Sequence, residues 1–386
     1  MLYRRFGRTE LNMPVFSCGG MRYQYKWQDV PLSEVPPENQ ANLEATIRHS
    51  VGVGINHIET ARGYGSSERQ LGLVLPTFKR DQIIVQTKIP PHADPRKFVA
   101  EFNESLERLR LDHVDLLAIH GINTHELLWH SIRPGGCLEA ARELQKQGKA
   151  RHIGFSTHAP LPIILDAIHT HVGGGFDYVN IHWYYILQQN WAAIEAATKL
   201  DMGVFIISPA DKGGMLYAPP PKLVELCQPL HPLVFNCLFC LRRPEVHTLS
   251  LGASKPGDFD LQLSSLKYLD EIDDLLPPIE ARLREAMLDA TGHESPEILN
   301  GHPDWDHAPG YMNIKTMLWL RNLAAAYDMV DYGRMRYNLL GNGGHWFPGL
   351  PAANLDGLPL DETLRNTLRE THDLLGGAAK KRLSQS

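Results

Sequence analysis

The sequence predicts an α/β fold, a closed (β/α)8 (TIM) barrel that carries a C-terminal helical extension. The chain has 386 residues, enough for one barrel of roughly 250 residues and an appendage of roughly 130. Eight short apolar runs alternate with longer amphipathic stretches, a pattern typical of a parallel sheet built from βα units. The alternation stops near Leu275. We therefore predict a barrel over residues 1–275 and an extension over residues 276–386, with a doubly wound open sheet as the competing fold.

A small hairpin is predicted before the barrel, because LYRRF and ELNMP flank the turn-forming Gly7. The predicted barrel strands follow as short apolar runs bounded by turn residues. They are Val15–Ser17, Asn56–Glu59, Ile83–Lys88, Leu116–His120, Ala150–Ser156, Tyr178–His182, Gly203–Ser208 and His247–Leu251.

The stretches between the strands have the apolar spacing of helices. They include Gln40–Val51, Pro95–Arg110, His125–Gln147, Leu161–Thr170 and Trp191–Leu200, with Asp258–Asp274 after the last strand. In the extension, helices are expected at Pro278–Asp289, Ile314–Leu340 and Asp361–Leu375. The turn cluster GNGGHWFPG at 341–349 is expected to cover the barrel mouth through His345, Trp346 and Phe347.

Composition excludes several classes of function. Hydrophobic residues make up 43% and charged residues 21%, and the net charge is −6, which argues against nucleic acid or an anionic membrane as the main partner. No apolar run approaches the roughly 20 residues of a membrane span, and no apolar stretch follows the basic N-terminal residues as it would in a signal peptide. Five dispersed cysteines indicate a reducing compartment. The expectation is a cytoplasmic protein.

Ionisable residues fall at successive strand ends, where barrels of this type carry their active groups. Glu59 ends the second strand and Tyr64 lies in its loop, while Lys88 and His120 end the third and fourth strands. A charged Lys88 near Tyr64 is expected to lower the phenol pKa from about 10 and make it a usable proton donor. The carboxylate would hold Lys88 charged and in place.

A metal site is the alternative use of these strand ends. The chain has 19 histidines, and one set of side chains lies near strand ends: His57, Glu59, His120, His158 and His182. A barrel metallohydrolase could use such a set. However, the first strand ends in CGGM and offers no His-x-His pair.

Five segments resemble the aldo-keto reductase family over roughly residues 1–275. They are INHIETARGYGSSERQLG at 55–72, TK at 87–88, DLLAIHG at 115–121, KARHIGFST at 149–157 and LGASKPGDFD at 251–260. The resemblance implies an NADPH-dependent oxidoreductase that reduces an aldehyde or ketone to an alcohol, with Tyr64 as general acid. Lys88 and His120 would tune and orient it. Glu59 stands where the family has Asp.

The resemblance also implies a set of cofactor-binding residues. They are Ser156, Thr157, Asn180, Ser208, Pro209, Gly252, Ser254 and Lys255. Thr157 replaces the usual Asn, Asn180 the usual Gln, and Ile207 the aromatic residue that stacks on the nicotinamide. Lys255 would favour the 2′-phosphate of NADPH by charge pairing. The departures keep open a second hypothesis, a regulatory or sensor barrel that binds NADPH with little turnover.

The segment LRNLAAAYDMVDYGRMRYNLLGNGGHWFPG at 320–349 resembles the C-terminal extension of a branch of the family with a ferredoxin-like cluster-binding segment. No cysteine follows Cys240, whereas an iron–sulfur cluster needs about four thiolates. We therefore expect no iron–sulfur cluster. Cys237 and Cys240 form a CxxC pair that is expected to be a pair of core thiols.

Overall fold

The computed structural model describes residues 1–211, 214–297, 301–342 and 347–377. The chain forms two compact units whose segments alternate along the sequence. The first unit comprises residues 1–183, 190–209 and 240–266. The second comprises residues 184–189 and 210–239 and the described part of residues 267–386. The boundary predicted from sequence is instead a single cut after residue 275.

Eight parallel strands of the first unit close into a barrel, preceded by an antiparallel hairpin. The hairpin strands are β1 Tyr3–Arg5 and β2 Asn12–Pro14. The barrel strands are β3 Phe16–Gly19, β4 His57–Glu59, β5 Ile84–Ile89, β6 Val114–His120, β7 Ala150–Ser156, β8 Tyr178–Ile181, β9 Gly203–Ile206 and β10 Thr248–Leu251. They pair in chain order, and β10 closes the barrel between β9 and β3. The predicted barrel is confirmed, and the open sheet is wrong.

The strand register aligns the chemistry-bearing residues at one rim. Gly19 pairs with Glu59 across β3 and β4. His120 pairs with Ser156, and Ser156 pairs with Asn180, across β6, β7 and β8. Because parallel strands all run the same way, these residues meet at the C-terminal mouth of the barrel.

The hairpin packs against the opposite end, where the strands begin. Phe6 joins Tyr178 and Phe205 in a buried apolar cluster. Gly7 has φ +53°, and a Cβ there would lie 2.5 Å from the carbonyl oxygen of Asp201, so the close approach requires glycine. With this end filled, the C-terminal mouth remains the place for a site.

The α-helices among the described residues surround the barrel or build the second unit. They are α1 Pro37–Gly52, α2 Ser67–Val74, α3 Pro95–Leu109, α4 His125–Ile132, α5 Cys137–Lys146, α6 Leu161–Ile168, α7 Trp191–Lys199, α8 Pro221–Leu226, α9 Pro232–Leu241, α10 Asp260–Ser264, α11 Ile272–Thr291, α12 Ile314–Tyr327, α13 Val330–Tyr337 and α14 Glu362–Leu375. Within this described part, no helix has the length and apolar character that crossing a bilayer requires.

Two long helices predicted from sequence are each broken. The stretch His125–Gln147 forms α4 and α5, because Pro134 cannot continue a helix and Gly135 has φ +67°. The stretch Ile314–Leu340 forms α12 and α13, because Asp328 adopts a left-handed conformation with φ +58°. In both places the apolar residues keep the spacing of a helix although the backbone forms a turn, so the spacing predicted one helix where there are two.

A third predicted helix begins earlier than expected. Pro278 was expected in the first turn, but α11 begins at Ile272 and contains both Pro277 and Pro278. The stretch predicted as helical at Asp258–Asp274 is mostly α10 and short 3-10 turns before α11.

The second unit is built around α11 to α14. Tyr327 on α12 donates a hydrogen bond to the carbonyl of Leu283 on α11 at 3.1 Å. Arg336 on α13 is fully buried, and its guanidinium lies 4.4 Å from the ring centroid of Phe347. His345 and Trp346, the other two residues of the predicted cover, lie outside the described residues. Cys237 and Cys240 are both buried on α9.

Candidate active site

A buried ion pair lies at the mouth of the barrel. Glu59 is the last residue of β4, and Lys88 is the next-to-last residue of the neighbouring β5. The Lys88 ammonium contacts Oε1 of Glu59 and donates to the carbonyl of Thr60 at 2.9 Å. Only 2% of the Lys88 side chain and 4% of the Glu59 side chain are exposed. A buried charge requires such a partner.

Tyr64 is placed over this ion pair by the loop after β4. The Lys88 ammonium donates to the phenol oxygen at 3.2 Å and lies 4.7 Å from the ring centroid. The phenol makes a longer hydrogen bond of 3.5 Å to Glu59 Oε1. Gly65 follows with φ +54°, and any Cβ there would overlap the carbonyl oxygen of Lys26. Glycine at this position therefore permits the turn that directs Tyr64 inward.

Two aromatic rings hold the Tyr64 ring from its sides. His120, at the end of β6, meets it edge-to-face with ring centroids 5.8 Å apart. Trp27, in the loop after β3, meets it edge-to-face at 6.0 Å and is partly exposed. The structure thus brings together all four residues predicted as catalytic, and it adds Trp27, which no motif identified.

The pKa of Tyr64 shifts in the direction opposite to the sequence-based expectation. Burial raises the pKa of the phenol above its ordinary value, because a phenolate loses hydration there. Burial also lowers the pKa of the Lys88 ammonium, and contact with Glu59 opposes that shift because a neighbouring negative charge favours the charged form. The net shift of the Tyr64 pKa is therefore upward and not downward as expected, and at neutral pH the phenol carries its proton.

Asn180 presents an unsatisfied amide at the end of β8. Its side chain is fully buried, and neither its nitrogen nor its oxygen has a hydrogen-bond partner among the described residues. Leaving such a group unpaired costs about 1–3 kcal/mol. An amide of this kind is suited to a ligand that offers both a donor and an acceptor.

The hydroxyls of Ser156 and Thr157 differ in what they can offer. The Ser156 oxygen accepts from the N–H of Gly121 at 3.0 Å, which leaves its own hydrogen available. Thr157 donates to the carbonyl of Ile122 at 2.7 Å and accepts from the N–H of Ala159 at 3.0 Å. The Thr157 hydroxyl is thus committed to the main chain.

Ser208 and Pro209 follow the end of β9. Ser208 has φ +59° and is partly exposed, so the chain turns sharply there. Ile207, one residue earlier, is also partly exposed and donates its N–H to the carbonyl of Ile181 at 3.0 Å. An aliphatic side chain therefore lies at this part of the rim.

The loop after β10 forms a polar cluster. Ser254 donates its hydroxyl at 2.7 Å and its N–H at 2.8 Å to the carboxylate of Asp258. The guanidinium of Arg22 donates to the Gly252 carbonyl and, at 3.4 Å, to the Ser254 hydroxyl. Lys255 is exposed beside them. Arg22 was missed by the sequence reasoning, because the loop after β3 carries no recognised motif.

Residues 16–218 match the sequence pattern of the Aldo/keto reductase family. This span is more than half of the chain. The chain belongs to the aldo/keto reductase family. Membership supports an oxidoreductase.

Individual relatives have modest sequence identity to this chain. The chain is similar to L-galactose dehydrogenase of Arabidopsis thaliana, with 30% identity over 238 residues that cover 57% of this chain and 68% of that protein. It is also similar to NADH-specific methylglyoxal reductase of Escherichia coli, with 29% identity over 135 residues. That match covers 28% of this chain and only 39% of the reductase.

Solved structures share the fold of this aldo/keto reductase. An aldo-keto reductase from Klebsiella pneumoniae in complex with NADPH superposes with a TM-score of 0.56 and 18% identity. The superposition covers 72% of this chain and 95% of the other. At this identity the likeness concerns the fold alone.

The histidines considered for a metal site have other contacts in this aldo/keto reductase. His57 is buried in the barrel with Nδ1 2.6 Å from the Ser17 hydroxyl, and burial lowers its pKa to about 3. His158 and His182 are hydrogen bonded to each other at 2.6 Å. In the described ranges, no three His, Cys, Asp or Glu side chains are grouped as ligands of one metal ion.

Proposed function

We propose that this chain is an NADPH-dependent oxidoreductase that reduces an aldehyde or ketone to an alcohol. The observation that carries the proposal is the position of the Lys88 ammonium, which contacts the Glu59 carboxylate and lies 3.2 Å from the Tyr64 phenol, itself 3.5 Å from Glu59 Oε1. A proton donor beside a cation and the anion that anchors it fits the transfer of a proton to a developing alkoxide.

Tyr64 is the general acid in this proposal. The phenol carries its proton at neutral pH, and it can donate that proton to the carbonyl oxygen as the alcohol forms. The charged Lys88 then stabilises the phenolate left behind, and Glu59 keeps the ammonium in place. His120 orients the phenol through its edge-to-face contact. NADPH, when bound, would supply the hydride.

The residues at the rim suit this cofactor. The unpaired amide of Asn180 and the available hydrogen of Ser156 would pair with the nicotinamide carboxamide. Lys255 is exposed and would pair with the 2′-phosphate, which distinguishes NADPH from NADH. One relative is named as NADH-specific and one fold neighbour holds NADPH, so the preference of this chain requires its own measurement.

The test is oxidation of NADPH, followed by its absorbance, with a panel of carbonyl compounds. The names of the relatives suggest two classes for the panel: methylglyoxal-like dicarbonyls, and aldose sugars assayed in the direction of oxidation with NADP⁺. Turnover with any member supports the proposal. NADPH binding without turnover across the panel would instead support the sensor hypothesis.

A further inference from the structure

Glu59 reaches two strands of the barrel. Its Oε1 contacts Lys88 on β5, while its Oε2 lies 3.5 Å from the hydroxyl of Ser250 on β10. Strand β3 lies between β10 and β4 in the barrel. The carboxylate therefore extends across a whole strand to meet Ser250.

Gly19 is what makes this reach possible. It is the register partner of Glu59 on the intervening β3. A Cβ at this position would lie 2.6 Å from the Ser250 hydroxyl oxygen and 3.3 Å from Glu59 Oε2. Any side chain at position 19 would thus separate the two groups.

The layer just below is bridged differently. In this layer each of the three strands contributes the residue two positions before its residue in the upper layer. Side chains two positions apart on a strand point to the same face of the sheet. There the Ser17 hydroxyl of β3 links His57 Nδ1 at 2.6 Å to the Thr248 hydroxyl at 2.7 Å. The middle strand supplies the bridge in the lower layer, and in the upper layer it leaves a gap that the Glu59 carboxylate spans.

We propose that Gly19 and Ser250 are positioning residues that adapt this site to glutamate, and this inference rests on the proposed function. Glutamate has one more rotatable bond than aspartate, so its carboxylate needs a second support to stay in one rotamer. Ser250 donates to Oε2 at 3.5 Å and Gly19 provides the space, which leaves Oε1 directed at Lys88. A displacement of about 1 Å in such a site can cost roughly 10²-fold in rate.

The experiment is a set of substitutions in the full chain with kcat, KM for NADPH and the urea midpoint measured for each. Ser250→Val, which adds bulk and removes the donor, and Gly19→Ala should each lower kcat about tenfold or more, with KM for NADPH nearly unchanged. Ser250→Ala should lower kcat about threefold or more, and Ser250→Thr should retain most of the activity because it keeps a hydroxyl.

The Glu59→Asp background makes the test specific. A shorter carboxylate does not reach Ser250, so Ser250→Ala should have no further effect on kcat there. For the same reason the shifts in urea midpoint from Glu59→Asp and Ser250→Ala should not add. Ser131→Ala is the matched control, because this buried serine on α4 donates to the carbonyl of Leu127 at 2.7 Å, within its own helix.

The outcomes separate this inference from the proposed function. Additive midpoint shifts would overturn the Glu59–Ser250 support whether or not the protein turns over a substrate. If the midpoint shifts are non-additive but the Ser250 variants of an active enzyme keep the wild-type kcat, the positioning role is overturned. If the wild type reduces no carbonyl compound, the proposed function fails, and the midpoint shifts alone decide whether Ser250 supports Glu59.

Discussion

The ammonium of Lys88 lies 3.2 Å from the phenol oxygen of Tyr64 at the mouth of the barrel. The two groups respond oppositely to the same burial: the pKa of the phenol rises and that of the ammonium falls. Both shifts favour the neutral forms. Glu59, in contact with Lys88, is what keeps a charge at this position, and the chemistry proposed for Tyr64 depends on it.

Removal of the Tyr64 hydroxyl should abolish most of the proposed activity. Tyr64→Phe is expected to lower kcat for carbonyl reduction by roughly 10²-fold or more, the usual contribution of a general acid. NADPH affinity, measured by quenching of protein fluorescence, should barely change because the phenol faces the substrate carbonyl. Tyr3→Phe, on the hairpin and hydrogen bonded to the Gly54 carbonyl, should behave as wild type. Full activity of Tyr64→Phe would rule out the assignment.

As pH rises, turnover should respond to the loss of the Lys88 charge before it responds to ionisation of Tyr64. The lowered pKa of Lys88 means that its charge is present below that pKa and lost as pH rises through it. The kcat/KM for reduction should therefore fall on an alkaline limb below about pH 10.4, the ordinary pKa of lysine. Lys88→Arg, which stays charged, should move the limb upward in whatever activity remains. An unmoved limb would assign it to another group.

Glu68 should make stability fall with rising pH. Burial raises its pKa from 4.5 to about 7, although Thr87 and Ser105 donate hydrogen bonds to it. The folded state then binds more protons than the unfolded state between these values, so the free energy of unfolding decreases as pH rises from about 4.5 to about 7.

Glu68→Gln should remove that decrease. At pH 8 the variant is expected to be more stable than wild type by up to about 3 kcal/mol, since each pKa unit corresponds to about 1.4 kcal/mol. The free energy of unfolding is measured with urea over pH 5–8, about the range over which Glu68 titrates. The exposed Glu107→Gln serves as control and should follow the wild-type slope. Equal slopes for wild type and Glu68→Gln would contradict the burial argument.

Cofactor preference should depend on Lys255. A charge-assisted contact with the 2′-phosphate contributes about 1.5–3 kcal/mol, so Lys255→Ala should weaken NADPH binding about tenfold or more and leave NADH binding unchanged. Lys255→Arg should keep the preference because the charge remains. The affinity of each variant for both cofactors is measured by titration. An equal loss of affinity for NADPH and NADH would show that Lys255 does not contact the phosphate.

Ser156 and Thr157 are neighbours with different expected phenotypes. Ser156→Ala should weaken NADPH binding, because its hydroxyl hydrogen is available to the carboxamide. Thr157→Val should mainly lower the melting temperature, because its hydroxyl joins two main-chain groups, those of Ile122 and Ala159, and leaving them unpaired costs about 1–3 kcal/mol. Calorimetry and cofactor titration of both variants separate the roles; a cofactor defect confined to Thr157→Val would reverse them.

The barrel and the place of the site could be predicted from the sequence. Strand order and direction follow from local patterns, and once eight parallel strands close, Glu59, Lys88 and His120 must share the C-terminal rim. The break between α4 and α5 could also have been predicted from sequence, because Pro134 and Gly135 are typical of a turn. The helical spacing of the apolar residues led to the prediction of one continuous helix instead.

Properties that depend on residues far apart in the chain could not be predicted, because they arise only in the folded protein. The pKa of Tyr64 moves upward because its burial is produced by elements far apart in the chain, and a sequence reveals only its near neighbours. The two main-chain partners of the Thr157 hydroxyl were equally hidden. Ser250 meets Glu59 only because barrel closure sets β10 beside β3 and Gly19 leaves the space between them open. Proximity across 191 positions of chain is created by closure of the sheet, and no local pattern encodes it.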